Sequence, residues 1–194
     1  QITSGSLSGV LRFRSETLDG VRNQLGQLAL AMADSFNQQH REGFDLNGEQ
    51  GGDFFSFSGA RVVDNTRNTG DASLSVSYTD TSKVKANDYR VEYDGANWQV
   101  SRLPDNVKVN ATAGKDADGN PTLSFDGLEV SIDGNPQQKD SFTVKPVSDV
   151  AGNLKVAITD SAKIAAAGKD DSGRGDNDNA KKLLDLQRSE ERRV

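Results

Sequence analysis

An apolar repeat of seven residues runs through residues 6–42 of this chain and constrains its fold more than any other feature. Successive positions of the repeat are separated alternately by three and four residues, with the polar Arg14 and Ser35 near its ends. Its apolar members are Leu11, Leu18, Val21, Leu25, Leu28 and Met32. This spacing predicts an α-helix whose apolar stripe packs against other helices. At ~1.5 Å per residue the helix is about 55 Å long, so other helical segments are expected to lie along it.

The ends of this helix and its glycines can also be predicted. A serine at position 4 or 6 can cap its start, and Gly43 suits a left-handed residue just after its end. Three glycines lie inside it, at positions 9, 20 and 26. Each costs about 1 kcal/mol relative to alanine, so a close approach of another helix is expected to compensate. The alternative is a break at Gly9 or Gly20.

From about residue 72 the apolar period changes to two, which predicts β-strands with one solvated face. Two hairpins stand out, with turns at Asp94-Gly95-Ala96-Asn97 and at Asp126-Gly127. Further alternating segments follow, the last around Leu154–Ile158. Seven or eight short antiparallel strands at this spacing are typical of a sandwich or a barrel.

The end of the chain returns to a helical pattern. Residues 161–167 predict a short helical turn, and residues 168–179 a polar loop whose acidic residues cap a helix or face solvent. Leu183 and Leu184 then form a short apolar stripe, which we expect to pack against the repeat of the first helix.

The predicted fold class is therefore α+β, with a long helical stalk, one helix out and one back, that carries an inserted antiparallel β-rich domain of sandwich or barrel type. We predict three segments of the chain: the outgoing helix over 1–43, the β-rich domain over 44–167, and a linker with the returning helix over 168–194. The packing between the helices of the stalk is predicted to involve eight apolar side chains: Leu11, Leu18, Val21, Leu25, Leu28, Met32, Leu183 and Leu184. Replacing Leu25 with aspartate should then destabilise the fold strongly, since it places a charge at a buried position.

Composition limits what the chain can bind. It has no cysteine, one histidine and a formal charge of −6, and its basic residues are scattered. These counts argue against thiol chemistry, cysteine-based zinc sites and nucleic-acid binding. No apolar run reaches the ~18 residues of a membrane span. The chain begins with Gln1, so we expect a fragment of a longer protein. No cofactor is expected.

No catalytic motif is found. His40, near the end of the long helix, is interpreted as a packing or capping residue. Residues 116–127 begin like a calcium loop but lack glycine at the sixth and glutamate at the twelfth position, which predicts a turn instead. The aromatic segment 54–57 is interpreted as core. Trp98 leaves open a carbohydrate- or surface-binding module, and a hydrolase of unrecognised type is a further alternative.

The same segments resemble a known family in an ordered way. Residues 5–55 follow the pattern Gly-x-Leu-x-Gly-x-Leu-x-Phe-Arg, then spaced leucines, then Asn-x-x-His-x-x-Gly-x-Asp-Leu-x-Gly and a Phe-Phe pair. The residues that carry this resemblance are Gly5, Leu7, Gly9, Leu11, Phe13, Arg14, Asn37, His40, Gly43, Asp45, Leu46, Gly48, Phe54 and Phe55. Residues 98–102, 125–130, 140–144, 153–166 and 175–187 match as well. The chain thus resembles the central segment of the bacterial flagellar hook-associated proteins of the hook–filament junction.

This resemblance implies a structural, non-enzymatic subunit of the flagellum, located outside the cell. It implies export of the full-length chain by a type III apparatus with a chaperone, and contacts with copies of itself and with neighbouring hook and junction proteins. It implies no membrane or nucleic-acid partner. The family's terminal coiled-coil segments, which drive polymerisation, are expected to lie outside this fragment, so the resemblance implies a fragment that is monomeric in solution.

Overall fold

The computed structural model describes residues 4–57, 59–158, 160–168 and 177–191, and for 4–17, 190 and 191 it describes the backbone alone. Within this part of the chain there are three α-helices: α1 Ser4–Arg41, α2 Val150–Asn153 and α3 Asp178–Glu191. Single 3-10 turns occur at Thr81–Lys83 and Ser161–Lys163. The strands are β1 Phe55–Ser56, β2 Arg61–Asp64, β3 Ser73–Tyr78, β4 Tyr89–Tyr93, β5 Trp98–Arg102, β6 Val107–Val109, β7 Thr112–Lys115, β8 Pro121–Phe125, β9 Leu128–Asp133, β10 Ser141–Lys145 and β11 Lys155–Val156.

The backbone forms two compact units. Unit 1 contains α1 up to Gln27 together with residues 59–151. Unit 2 contains residues 28–57, which include the rest of α1, together with the described residues from 152 onwards. The predicted α+β class is confirmed, with one helix before and one after a set of antiparallel sheets. The predicted boundaries at residues 43 and 167 follow secondary structure rather than these units, and they stay a prediction.

Helix α1 is continuous, so the alternative of a break at Gly9 or Gly20 is wrong. It ends where predicted, with Glu42 N–H and Gly43 N–H donating to the carbonyls of Gln39 and His40. Gly43, however, has no positive φ, so the left-handed cap is wrong. Glycine is required there for space instead, since a Cβ would overlap the Asn179 amide and the Ala165 carbonyl oxygen.

Unit 1 is built on two antiparallel sheets. The larger has the order β2-β10-β4-β5-β6 and the smaller the order β3-β9-β8-β7. Both predicted hairpins are present, as β4–β5 with Tyr93 opposite Trp98, and β8–β9 with Phe125 opposite Leu128. Gly95 and Gly127 have φ values of +100° and +75°, which glycine adopts without steric cost.

Alternate side chains of both sheets form the core of unit 1. The larger sheet buries Tyr89, Val91, Val100, Phe142 and Val144, and the smaller buries Leu74, Leu123, Phe125, Leu128, Val130 and Ile132. The rings of Tyr89 and Phe125 lie 4.9 Å apart and join the two layers. The arrangement is a sandwich, one of the two architectures that the strand spacing predicts.

A partly buried polar network connects the two sheets. Tyr89 Oη donates to Asp126 Oδ2 at 2.6 Å, and Arg102 Nη2 donates to the same oxygen at 2.9 Å. Burial on its own would raise the pKa of the Asp126 carboxyl, but these two hydrogen bonds hold that pKa below its usual range. Burial, helped by the hydrogen bond to Asp126, raises the pKa of the Tyr89 hydroxyl. The turn aspartate thus ties the two sheets together.

Asp140 fixes a second connection in unit 1. Its Oδ1 accepts the N–H of Thr69 at 2.8 Å, and its Oδ2 accepts the N–H groups of Gly70 and Gln137, both at 2.9 Å. Backbone donation from Gln137 and Thr69 holds the pKa of the Asp140 carboxyl below its usual range. The ionised form therefore holds the segment before β3 against the segment before β10.

Unit 1 is expected to lose stability in acid because of these carboxylates. Their pKa values are lowered in the folded state and lie near ~4 in the unfolded chain, so the stability that they contribute is complete above about pH 5. It is lost as the pH falls through the folded values. Urea unfolding midpoints measured from pH 7 to pH 2.5 should stay level and then fall, and Asp140→Asn should lower the plateau and flatten the fall. A midpoint that is independent of pH in the parent chain would contradict this prediction.

Several elements differ from the sequence prediction. The short strands β2 and β7 were not predicted, and the segment around Leu154–Ile158 contributes only the two residues of β11, which pair with β1 outside the sandwich. The helical turn predicted over 161–167 is a single 3-10 turn at Ser161–Lys163. After it Ile164 is extended, and Ala167 forms a bridge with Phe44. Residues 169–176 of the predicted polar loop lie outside the described residues.

Candidate helix-packing surface

Helix α1 packs onto the rest of the chain through a stripe that the apolar repeat does not contain. Its buried positions again alternate by three and four residues: Asn23, Gly26, Leu30, Ala33, Asn37 and His40. The members lie alternately two positions and one position after a position of the repeat, which corresponds to rotations of about 200° and about 100° around a helix. The two faces are thus about 150° apart on average, so the face that packs and the face that carries the repeat point in largely opposite directions.

The apolar face of α1 is open in unit 1. The exposed fractions of Leu18, Val21 and Leu25 are 64%, 47% and 55%. Leu28 and Met32, in unit 2, are half-buried, and the side chain of Leu11 lies outside the described residues. The predicted packing of this face is thus not formed by the described part of unit 1, and it stays a prediction about other segments. Several exposed apolar side chains on one face of a helix are characteristic of a surface that another element covers.

In unit 2 the same face borders helix α3. Met32 and Phe36 of α1, Phe55 of β1, and Leu186 and Gln187 of α3 line an open, mainly apolar cavity of about 300 Å³. Of the two predicted α3 positions, Leu183 is buried and Leu184 is 54% exposed. Leu184 is exposed because the buried stripe of α3 runs through Asn179 and Leu183, so position 184 is rotated away from it. The predicted proximity of α3 and α1 is present in unit 2, with Leu186 rather than Leu184 at the cavity.

Asn37 anchors the segment that follows α1. Its Oδ1 accepts the N–H groups of Phe54 and Phe55 at 2.9 and 2.8 Å, and its Nδ2 donates to the Phe55 carbonyl at 3.0 Å. The side chain therefore pairs with strand β1 as a neighbouring strand would. Around it the rings of Phe36, Phe54 and Phe55 lie 5.0–5.3 Å apart. The rings pack on one another but are only half-buried, so the interpretation of this aromatic segment as core holds in part.

His40 is a structural residue of unit 2 and has no exposed surface. Its Nε2 lies 2.9 Å from the Ala165 nitrogen and accepts that N–H, so this ring nitrogen carries no proton. The proton is then on Nδ1, which donates to the Gly52 carbonyl at 2.7 Å. Both nitrogens are engaged with the backbone of two distant segments, which fits the predicted packing role.

Asn179 joins α3 to the same cluster. Its Oδ1 accepts from Gln39 Nε2 at 2.8 Å, and its Nδ2 donates to the Ala165 carbonyl at 2.5 Å. The side chain is 2% exposed. Asn37 and Asn179 were not predicted as packing residues, because a polar residue on a predicted helix is ordinarily assigned to solvent. Their positions in the resemblance pattern were the only signal for them.

The turn predicted at Asp116 is present. Asp116 Oδ1 accepts the N–H groups of Asp118 and Asn120, both at 2.9 Å, and its Oδ2 accepts from Ser131 Oγ at 2.5 Å. Donation by the Ser131 hydroxyl, together with these backbone N–H groups, lowers the pKa of the Asp116 carboxyl. The carboxylate is thus saturated by the turn itself.

Trp98 packs within its own sheet. Its ring lies 5.1 Å from Tyr93 and 6.0 Å from Phe142 and is half-buried. In the part of the chain that the structure describes, no cluster of three or more His, Cys, Asp or Glu residues could hold a metal ion. No described helix is long and apolar enough to cross a membrane.

Comparison with known families matches most of the chain. The model for the helical domain of flagellar hook-associated protein FlgK matches residues 1–55, and the model for the D2-like domain of flagellar hook-associated protein 1 matches residues 63–146. The first match ends at strand β1, and the second covers the sandwich of unit 1. These matches do not support the alternative of a carbohydrate-binding module.

Individual relatives agree with these models. Flagellar hook-associated protein 1 of Escherichia coli K12 is 50% identical over 96% of this chain, and that of Salmonella typhimurium is 46% identical over 97%. The solved structure of the flagellar hook junction protein FlgK from Burkholderia pseudomallei is 37% identical, with a TM-score of 0.75 over 84% of this chain. This chain spans 33% and 34% of the length of the two curated relatives and 29% of the solved one. The chain belongs to the flagellar hook-associated protein 1 family, of which it represents a central portion.

Proposed function

We propose that this chain is the central part of a structural, non-enzymatic subunit that joins the hook of the bacterial flagellum to its filament. The observation that carries the proposal is the two-sided character of α1. Within unit 1, one side of α1 is fixed to the sandwich by buried contacts, and the other presents Leu18, Val21 and Leu25 of the apolar repeat to solvent. A long helix built in this way holds further helices in register along its length.

The contacts between α1 and the sandwich of unit 1 fix the orientation of the helix on the sandwich, as a joining subunit requires. Asn23 Nδ2 donates to Asp88 Oδ1 at 3.3 Å, and Lys145 Nζ lies 3.1 Å from Asp88 Oδ2. Gly26 packs directly on the backbone of Val147. The helix is therefore held to the sandwich by backbone contact and by buried polar contacts rather than by apolar side chains, which leaves its apolar side free.

The proposed partners are helical segments of the full-length subunit, copies of the same subunit, and the neighbouring hook and junction proteins. The names of the relatives support this set, since they are hook-associated and hook junction proteins. The proposal places the assembled protein outside the cell, after export of the full-length chain by the type III apparatus with its chaperone. In this proposal the sandwich of unit 1 is the module that faces outward.

The proposal is tested with Leu25→Asp in the full-length protein, produced in a bacterium that lacks its own copy. We expect hooks without attached filaments and a loss of swimming, because the aspartate replaces an apolar side chain on the packing face. Gln24→Asp is the matched control, since it introduces the same residue at an exposed position one step around the helix. Normal filaments with Leu25→Asp would overturn the assignment of this face.

The same substitution is expected to have little effect on the stability of this chain by itself. Leu25 is 55% exposed, so Leu25→Asp should change the free energy of unfolding by about 0.5 kcal/mol or less. This replaces the strong destabilisation expected from the sequence, because the side chain is not buried by the described residues. Thermal unfolding of the parent and variant chains measures it, and a large decrease in Tm would show that the face is covered in this chain.

A further inference from the structure

The tip of the loop after α1 carries a dipeptide with its own chemistry. Asn47-Gly48 is the only Asn-Gly pair in the sequence. It lies between Phe44 and Gln50, which form an antiparallel bridge, so the pair occupies the tip of a tight hairpin. Asn47 is exposed, and Gly48 has a φ of +78°.

The loop is held by Asp45 and not by Asn47. Asp45 Oδ1 accepts the N–H groups of Asn47 and Glu49 at 2.8 and 3.0 Å, and the Asp45 carbonyl accepts the N–H of Gly48 at 3.1 Å. The Asn47 side chain makes no hydrogen bond with the described residues. Its amide carbon is therefore free to rotate towards the Gly48 nitrogen, and residue 48 has no side chain to hinder that approach.

We propose that Asn47 is a site of spontaneous self-modification, in which water is the only co-reactant. The Gly48 nitrogen attacks Asn47 Cγ, the new C–N bond forms, and the Cγ–Nδ2 bond breaks. Ammonia leaves with the proton that the Gly48 nitrogen gives up, and a cyclic imide remains. Water then opens the ring at either carbonyl, which yields aspartate or, when the backbone carbonyl carbon is attacked, isoaspartate. No atom is oxidised or reduced in these steps. Asparagine is among the thermolabile residues, and this reaction accounts for that.

Two Asp-Gly pairs of unit 1 provide an internal contrast. Asp94 Oδ1 accepts the N–H groups of Ala96 and Asn97 at 2.8 and 2.7 Å, and Asp126 is held by Tyr89 and Arg102. Both carboxylates are fixed by hydrogen bonds away from the following nitrogen. Each carboxylate is also a poorer electrophile than an amide, because its negative charge disfavours attack by the backbone nitrogen. Position 47 is therefore the more reactive site in comparison with these two pairs.

The modification has a structural consequence in unit 2. Isoaspartate adds one atom to the backbone at the tip of the hairpin, which displaces the N–H groups that Asp45 Oδ1 accepts. The neighbouring backbone is paired with the segment before α3, through Leu46 N–H to the Ala162 carbonyl at 3.1 Å and Phe44 N–H to the Ala167 carbonyl at 3.0 Å. Lengthening the loop therefore loosens the pairing of two segments distant in sequence.

The proposal is tested by incubating the folded chain at mildly alkaline pH and 37 °C, followed by peptide mapping with mass spectrometry. We expect the peptide with Asn47 to gain one mass unit and to split into aspartate and isoaspartate forms, while the peptides with Asp94 and Asp126 stay unchanged. Asn47→Gln, with the same exposure and a longer side chain that cyclises poorly, should abolish the change. A second sample incubated in urea gives the rate for the unfolded loop.

Each outcome decides the proposal. Modification of the folded chain at position 47 alone supports it, including the case in which the rate is several-fold below that in urea. An unmodified Asn47 in the folded chain, together with a modified one in urea, would show that the hydrogen bond from Gly48 N–H to Asp45 protects the site, and it would overturn the proposal. Modification of Asn47→Gln at an equal rate would also overturn it.

Discussion

Replacing His40 with phenylalanine is expected to lower the free energy of unfolding of unit 2 by roughly 2–4 kcal/mol. Phenylalanine keeps an aromatic ring next to Phe54, whose centroid lies 5.5 Å from that of His40. It removes both ring nitrogens, however. Gly52 is exposed, so its carbonyl can bind water, whereas Ala165 has no exposed surface. The larger part of the loss therefore comes from the Ala165 N–H, which is left buried without an acceptor.

Hydrogen exchange at the Ala165 amide measures this effect directly. The amide should exchange slowly in the parent chain and much faster in His40→Phe, together with a lower Tm. Gln38→Phe is the matched control, because it introduces the same side chain at an exposed position of α1 two residues earlier, and we expect a change of about 0.5 kcal/mol or less. Equal protection of the Ala165 amide in the parent and in His40→Phe would show that the hydrogen bond to Nε2 does not hold this segment.

The existence of α1 and of the two hairpins could be predicted because their determinants are local. The helix follows from the three-four repeat, and it runs without a break past Gly9 and Gly20. The hairpins follow from Asp94-Gly95 and Asp126-Gly127, which supply residues with positive φ between alternating strands. In each case the pattern and the conformation lie within a few residues of each other.

The face that α1 packs with could not be predicted, because it is the less apolar one. Asn23, Gly26 and Asn37 are polar or small, and a hydrophobicity pattern assigns such positions to solvent. They are buried because each meets a backbone or polar group that is distant in sequence. Asn37 pairs with strand β1, and Gly26 admits the backbone of Val147. The apolar repeat is a true signal, but it describes a surface that the described part of unit 1 leaves open.

Residues 161–167 show how tertiary contacts override local propensity. An alanine-rich segment favours a helix. Here Ala165 N–H donates to His40, and Ala167 N–H donates to the Phe44 carbonyl at 3.1 Å. A helix would have used these N–H groups internally. The partners lie 125 residues apart in the case of His40 and Ala165, so the sequence pattern contains no trace of them.

Two glycines of α1 are expected to respond in opposite directions to the same substitution. A Cβ at Gly26 would overlap the carbonyl oxygen of Val147, which is backbone and cannot rotate away. Gly26→Ala should therefore destabilise unit 1 by roughly 1–3 kcal/mol, since the helix or the segment after β10 must shift. A Cβ at Gly20 meets no atom within 4 Å. Gly20→Ala should stabilise the helix by up to about 1 kcal/mol, because alanine restricts the unfolded chain and favours a helix.

The pair separates close packing from helix propensity, since both residues lie in one helix and in one unit. Urea unfolding of the two variants and the parent chain measures both effects. If Gly26→Ala proved as stable as Gly20→Ala, the contact between α1 and Val147 would be loose, and the glycine would be dispensable there. If Gly20→Ala were instead as destabilised as Gly26→Ala, a neighbour would have to cover position 20, and the open side of α1 at that point would be occupied. The expected result, a gain at one glycine and a loss at the other, requires α1 to be seated tightly on one side and free on the other.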